Sequence, residues 1–149
     1  MESKEMKILI FSLNGEHYAT EISDVERILG YTEATGMPDV PDFVEGIINY
    51  ESRILPIINL ARKFNFISEE KKESTKIIVI KKNEKKFGIT VDNVYEVTDV
   101  RNDLFEEAPL ITTTISNNYV KGLIKLENRI VILLNMKNIL SQDEEALIF

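Results

Sequence analysis

Apolar residues in this chain come in short, dense runs separated by polar turns. Residues 7–13 form one such run of strand length. Asn14-Gly15 after it favours a tight turn whose central residues take positive φ, and residues 16–21 return as the partner strand. Residues 46–50 and 53–58 read as a second hairpin around Tyr50-Glu51-Ser52-Arg53, with Asn59 placed to cap a short helix through Phe64. Between the hairpins, Ser23-Asp24-Val25-Glu26 has the form of a capping box. It predicts a helix of about two turns ending at Gly30, with Val25, Ile28 and Leu29 on one face. Pro38 and Pro41 then hold the connection extended.

The second half repeats this order. Strands are expected over 76–82, 85–91, 95–101, 122–126 and 129–135. Ile8, Leu9, Ile10 and Phe11 fall on Ile77, Ile78, Val79 and Ile80 at a displacement of 69 residues, which also lays Tyr18 on Phe87 and Val25 on Val94. From Gly46 to Gly122 the displacement is 76, so the second copy holds seven extra residues in one loop. That loop, 102–118, is expected to be mobile, and 136–147 to form a terminal helix with Ile139, Leu140 and Leu147 apolar and Asp143, Glu144 and Glu145 facing water. A unit repeated over so short a span predicts two small, similar subdomains, one over about 7–67 and one over about 76–135, joined by a linker over 68–75. Short, even strands with tight turns and little helix predict a mainly β fold of small closed barrels, one for each copy.

Composition narrows the function. Half of a 149-residue chain would be marginal alone, so the copies are expected to share one core. A net charge of −7 argues against a nucleic-acid backbone or an anionic membrane as partner. The absence of cysteine removes thiol chemistry and fits a reducing cytoplasm. The polar N-terminus leads straight into a strand, so no signal peptide is expected, and no apolar run reaches the roughly 20 residues of a spanning helix.

Catalytic signatures are missing. The one histidine, His17, sits beside a hairpin turn and reads as an exposed strand residue. No phosphate-cradling loop, dinucleotide fingerprint, Ca²⁺ loop or H-E-x-x-H occurs, so no cofactor or metal is expected. The acid pairs Glu69-Glu70, Glu106-Glu107 and Glu144-Glu145 lie in polar segments and read as solubilising. Two functional classes remain. One is a protein-binding module using the groove between barrels or their strand edges; the other is a small-molecule-binding barrel, which needs a deep pocket with convergent polar groups.

Phe43-Val44-Glu45-Gly46-Ile47-Ile48-Asn49-Tyr50 followed by Ile54-Leu55-Pro56-Ile57-Ile58-Asn59-Leu60 resembles the signature of CheW-like chemotaxis coupling proteins, roughly F-V-x-G-V-x-N-L-R-G-x-I-x-P-V-x-D-L. Phe87-Gly88-Ile89-Thr90-Val91-Asp92-Asn93-Val94 is similar to a second family segment, x-G-x-x-V-D-x-V. The resemblance implies two five-stranded SH3-like barrels around a shared apolar core, and a cytoplasmic, non-enzymatic adaptor linking transmembrane chemoreceptors to the histidine kinase CheA. It further implies that the receptor's helical tip lies in a groove at positions matching Leu9, Ile22, Val25, Ile28 and Val94. By the same resemblance the kinase regulatory domain meets the first unit at Tyr31, Met37, Val40, Tyr50 and Glu51. One departure stands out: the family's Arg-Gly turn is here Glu51-Ser52. The change reverses a charge and leaves open an alternative in which receptors are bound but kinase is recruited poorly.

Overall fold

The computed structural model describes residues 5–67, 71–107 and 117–149. Along the chain run β1 (Glu5–Leu13), β2 (Glu16–Glu21), β3 (Val25–Gly30), β4 (Val44–Tyr50), β5 (Arg53–Asn59), α1 (Leu60–Lys63), β6 (Lys76–Lys82) and β7 (Lys85–Val91). Then come β8 (Asn93–Arg101), β9 (Phe105–Glu107), β10 (Val120–Leu126), β11 (Arg129–Leu134) and α2 (Gln142–Ile148). Asn14 and Gly15 both take positive φ, at 54° and 79°, as a tight hairpin between twisted strands requires. Asn59 caps α1, its side chain accepting from the Arg62 N–H at 3.0 Å.

The strands form two sheets, ordered β8-β1-β2-β11-β10-β9 and β3-β6-β7-β5-β4, which are the two SH3-like barrels. We call them barrel I and barrel II. They cut across the repeat: β1 and β2 belong to the first copy yet lie with β8–β11 of the second, while β6 and β7 complete the barrel of β3–β5. A barrel made of one contiguous half, over 7–67 or 76–135, is therefore corrected to one assembled from both. The correspondence survives the exchange for five strands of each sheet, because replacing each by its repeat partner turns β8-β1-β2-β11-β10 into β3-β6-β7-β5-β4; β9 is a sixth strand with no counterpart, so barrel I is not the five-stranded unit expected. The correspondence extends to irregularities, with matching breaks in register at Val44/Gly46 and Val120/Gly122 and at Val25/Arg27 and Ile10/Phe11.

Burial explains why β1 and β6 are apolar without alternation. Leu9, Phe11 and Leu13 point into a cluster that also holds Ile78, Ile80, Phe87, Ile58 and Leu134, the core shared between barrels. Ile8 and Ile10 point the other way into barrel I, as Ile77 and Val79 point into barrel II. A strand buried on both faces needs apolar residues at every position.

Two expected helices differ. Residues 23–30 are a single 3-10 turn over Ile22–Asp24 followed by β3, because β6 offers a free edge that pairs with Val25 through Gly30. The expected terminal helix is broken into a 3-10 turn, Met136–Asn138, and α2, which starts at a capping box of Ser141 and Glu144. Glu145 does not face water: it is buried, with Lys82 at 3.1 Å and Lys85 at 3.7 Å. Of the loop expected to be mobile, 102–107 forms a 3-10 turn and β9, which pairs with β10, and 108–116 lie outside the described residues.

Candidate functional site: two docking surfaces

The strand register sorts the expected groove residues. In an antiparallel pair, directly opposed residues share a face. Val25 lies opposite Ile80 and Ile28 opposite Ile78, both shared-core residues, so Val25 and Ile28 look toward the junction of the barrels. On β8, Val94 lies opposite Phe11 and Val97 opposite Leu9. Ile22, Val25 and Val94 are half-buried against the shared core, and Ile28 is 40% exposed. Leu9 is a correction. At 1% exposed it is core, with no surface to offer a partner. Val97, 49% exposed, was missed. It is the repeat counterpart of Ile28, a signal present in the sequence.

The second set only partly converges. Tyr31, Tyr50 and Glu51 border one cleft of about 820 Å³ at an end of barrel II, together with Arg27, Ile48 and Ile54. Val40 packs instead against the shared core, and Met37 is half-buried outside the cleft lining. Tyr50 is buried rather than displayed, and its hydroxyl donates to Glu26 Oε2 at 2.6 Å. Burial first, then that hydrogen bond and the carboxylate charge, push the phenol up to about 12. Glu26 also meets Lys86 at 2.8 Å, and hydrogen bonds from Lys86 and then Tyr50 hold its carboxyl below the usual range. Ile54, 70% exposed beside the turn, is the residue that sequence reasoning passed over.

The departure at Glu51-Ser52 has a local account. Both residues adopt positive φ, 50° and 63°, so Ser52 carries the left-handed strain that a glycine would avoid, about 1 kcal/mol. Glu51 is answered within the chain: Arg27 Nη2 lies 3.6 Å from its carboxylate, and the guanidinium sits 5.8 Å from the centre of the Tyr50 ring. The pair is half-exposed and contributes little stability. Its effect is on what a partner meets: a paired charge in place of a free anion.

Tyr31 is held from below. Glu45 accepts from the Thr90 hydroxyl at 2.6 Å, contacts Lys71 at 3.3 Å and lies 3.5 Å from the Tyr31 hydroxyl. Burial, followed by the charges of Glu45 and Glu33, raises the Tyr31 phenol. Near the middle of the molecule, Lys63 has a side chain only 7% exposed, between the rings of Phe43 at 4.3 Å and Tyr119 at 5.5 Å. Those two aromatics are repeat counterparts. Glu144 of α2 completes the arrangement at 2.6 and 2.7 Å.

His17 is half-buried rather than exposed, its ring 5.2 Å from that of Tyr95. Among the described residues no group of three or more His, Cys, Asp or Glu side chains could hold a metal, and every buried side-chain polar atom has a partner. The arrangement is one of surfaces: an apolar margin along the barrel junction and a cleft at one barrel end.

Residues 7–144 match the model of the CheW-like domain. The chain is similar to the chemotaxis protein CheW of Klebsiella aerogenes, at 34% identity over 99% of this chain and 89% of that protein. It is also similar to the chemotaxis protein CheW of Thermotoga maritima, at 30% identity over 93% and 90%. The crystal structure of the scaffolding protein TtCheW from Thermoanaerobacter tengcongensis superposes with a TM-score of 0.88 at 30% identity, covering 95% of this chain and 96% of that one.

Proposed function

The chain belongs to the CheW-like domain family, whose members are chemotaxis scaffold adaptors and not enzymes, and from that premise we propose that it couples chemoreceptors to the histidine kinase CheA. The receptor's cytoplasmic tip docks along the barrel junction on Ile22, Val25, Ile28, Val94 and Val97. The regulatory domain of the kinase docks at the end of barrel II, around Tyr31, Tyr50, Glu51 and Ile54, with Met37 and Val40 holding the adjoining loop. The protein works in the cytoplasm and reaches the receptor array through these partners; among the described residues no helix is long and apolar enough to cross a membrane.

One observation carries the reading: half-exposed apolar side chains at matching positions of β3 and β8 flank a core that both barrels share. A helical tip needs such an apolar margin, and a rigid shared core fixes its geometry relative to the barrel end. The Arg27–Glu51 pair supports full coupling over the reading in which kinase is recruited poorly, since it removes the free anion that a partner carboxylate would oppose. Separate titrations of the whole chain with a receptor-tip fragment and with the kinase regulatory domain test the proposal. Saturable binding of both is expected. Binding of the receptor alone selects the kinase-poor reading, and binding of neither overturns both.

A further inference from the structure

The hairpin between β6 and β7 goes against a rule of strand pairing. Its register sets Lys81 directly opposite Lys86 and Lys82 opposite Lys85, and like charges facing each other across two strands repel. The fold does not ask for them. In the matching hairpin of barrel I the same positions are Ser12 opposite His17 and Leu13 opposite Glu16. Nor does composition supply them by chance, since the chain as a whole carries a net charge of −7. The repulsion is answered only in part. Lys86 meets Glu26 at 2.8 Å, while Lys82 and Lys85 share one buried carboxylate, Glu145, at 3.1 and 3.7 Å. A local conflict that the fold does not need points to a functional site.

These lysines border a second cleft. β5 and β7 pair in parallel only from Ile57 and Gly88 onward, and a cleft of about 460 Å³ lies between their unpaired first residues. Arg53, Ile54 and Leu55 line it from β5, Lys85 and Lys86 from β7, and Phe149 from the end of α2. Its lining joins apolar surface to positive charge. Ile54 is 70% and Phe149 44% exposed, and the Lys85 ammonium lies 5.5 Å from the centre of the Phe149 ring. Arg53 is exposed and, among the described residues, has no ion pair. Of the two carboxylates on the lining, Glu51 is paired with Arg27, which leaves Glu84 against three cations. The volume is that of a small-ligand site, for which about 300–1,000 Å³ is usual, and too little for a helix.

We infer that this cleft binds a small amphiphilic anion, its ring or short apolar chain resting on Ile54, Leu55 and Phe149 and its phosphate or carboxylate between Arg53 and Lys85, with Lys86 beside them. The cleft shares Tyr50, Glu51 and Ile54 with the larger one, but its other wall is β7 in place of β3, and the inference does not rest on the coupling reading.

Methyl NMR of the whole chain with phenyl phosphate as the probe tests it. Saturable shifts of the Ile54 and Leu55 methyl resonances are expected, larger than those from phenol or inorganic phosphate and fading as salt is added. Arg53→Gln/Lys85→Gln removes two cations and relieves one facing lysine pair. That variant is expected to keep its thermal midpoint and to bind phenyl phosphate about tenfold more weakly or worse. The comparison of phenyl phosphate with phenol on the unmodified chain stands whether or not the variant folds. Unmoved methyls overturn the inference, as does a folded variant that binds like wild type. Equal shifts from phenol overturn the anion site and leave only an apolar dent. Tighter binding of acetyl-Glu-Phe-Glu-amide than of phenyl phosphate makes the occupant a protein segment and overturns the small-molecule assignment.

Discussion

Replacing Glu144 by Gln removes one charge from the place where α2 meets α1. Glu144 serves twice, accepting from the Ser141 N–H at 2.8 Å in the capping box and from Lys63 at 2.6 and 2.7 Å. Glutamine keeps the first role, so the change isolates the second. Lys63 is then left as an ammonium in a site 7% exposed, with a neutral amide oxygen and the faces of Phe43 and Tyr119 in place of a carboxylate. Breaking a buried ion pair on one side costs about 3–5 kcal/mol. Here the Gln carbonyl still accepts and Glu144 is 24% exposed, so about 2 kcal/mol is expected, a fall in thermal midpoint of about 6 °C. Lys63→Met keeps the stem packed between the rings and removes the cation, so the double variant is expected to recover at least half of the loss. Urea unfolding of the wild type, both single variants and the double variant supplies the cycle. A Glu144→Gln effect within about 0.5 kcal/mol of zero refutes the reasoning that this pair seats α2. The pH dependence follows with its sign. Burial opposes ionisation of Glu144, but the bonds from Lys63 and Ser141 outweigh it and its folded pKa is lowered. The contribution is therefore complete above the unfolded carboxyl pKa, near 4.5, and is lost as pH falls toward the lower folded value.

Gly46→Ala is expected to destabilise by about 3 kcal/mol or more, because φ is +143° and the new methyl meets a backbone oxygen; denaturant unfolding of the purified variant checks it. Glu51→Arg sets two guanidinium groups together and is expected to weaken kinase-domain binding about threefold to tenfold, with Arg27→Glu/Glu51→Arg restoring it by calorimetry; tighter binding by the single variant would show that Glu51 repels the partner. Ile28→Asp and Val97→Asp are each expected to lower receptor-fragment affinity about tenfold while leaving kinase-domain binding alone, as measured by paired titrations.

Much of the architecture was legible because the pattern is written twice. Strands 85–91 and 76–82 are those of the structure to the residue, and Asn59 caps where its side chain and position require. The error at 23–30 arose from trusting a local signal, Ser-x-x-Glu with a following glycine, over the repeat. Val25 aligns with Val94, next to a segment whose pattern predicts a strand, and pairing with β6 outweighs whatever a two-turn helix would gain alone. The capping box at Ser141 is harder to read for the opposite reason, since the pattern over 136–147 predicts one continuous helix and gives no sign of the break before Ser141. Strand exchange leaves no trace in sequence, because two similar copies satisfy the same pattern whichever barrel β1, β2, β6 and β7 join. The site was less legible than the fold. Leu9 reads like a groove residue, and only the register shows Val97 above it at the surface. Glu51 reads as an unmatched anion until Arg27, on another strand, is seen beside it.

The account treats the chain as a bridge with two separate docking faces on one rigid body. Its most direct test is co-sedimentation of the kinase regulatory domain with receptor-tip fragments that pellet alone, as the chain is added. The kinase domain is expected to enter the pellet in proportion to the chain, and to stay in the supernatant when the Ile28→Asp variant replaces it. A kinase domain that pellets equally without the chain, or never pellets although the chain does, contradicts the account.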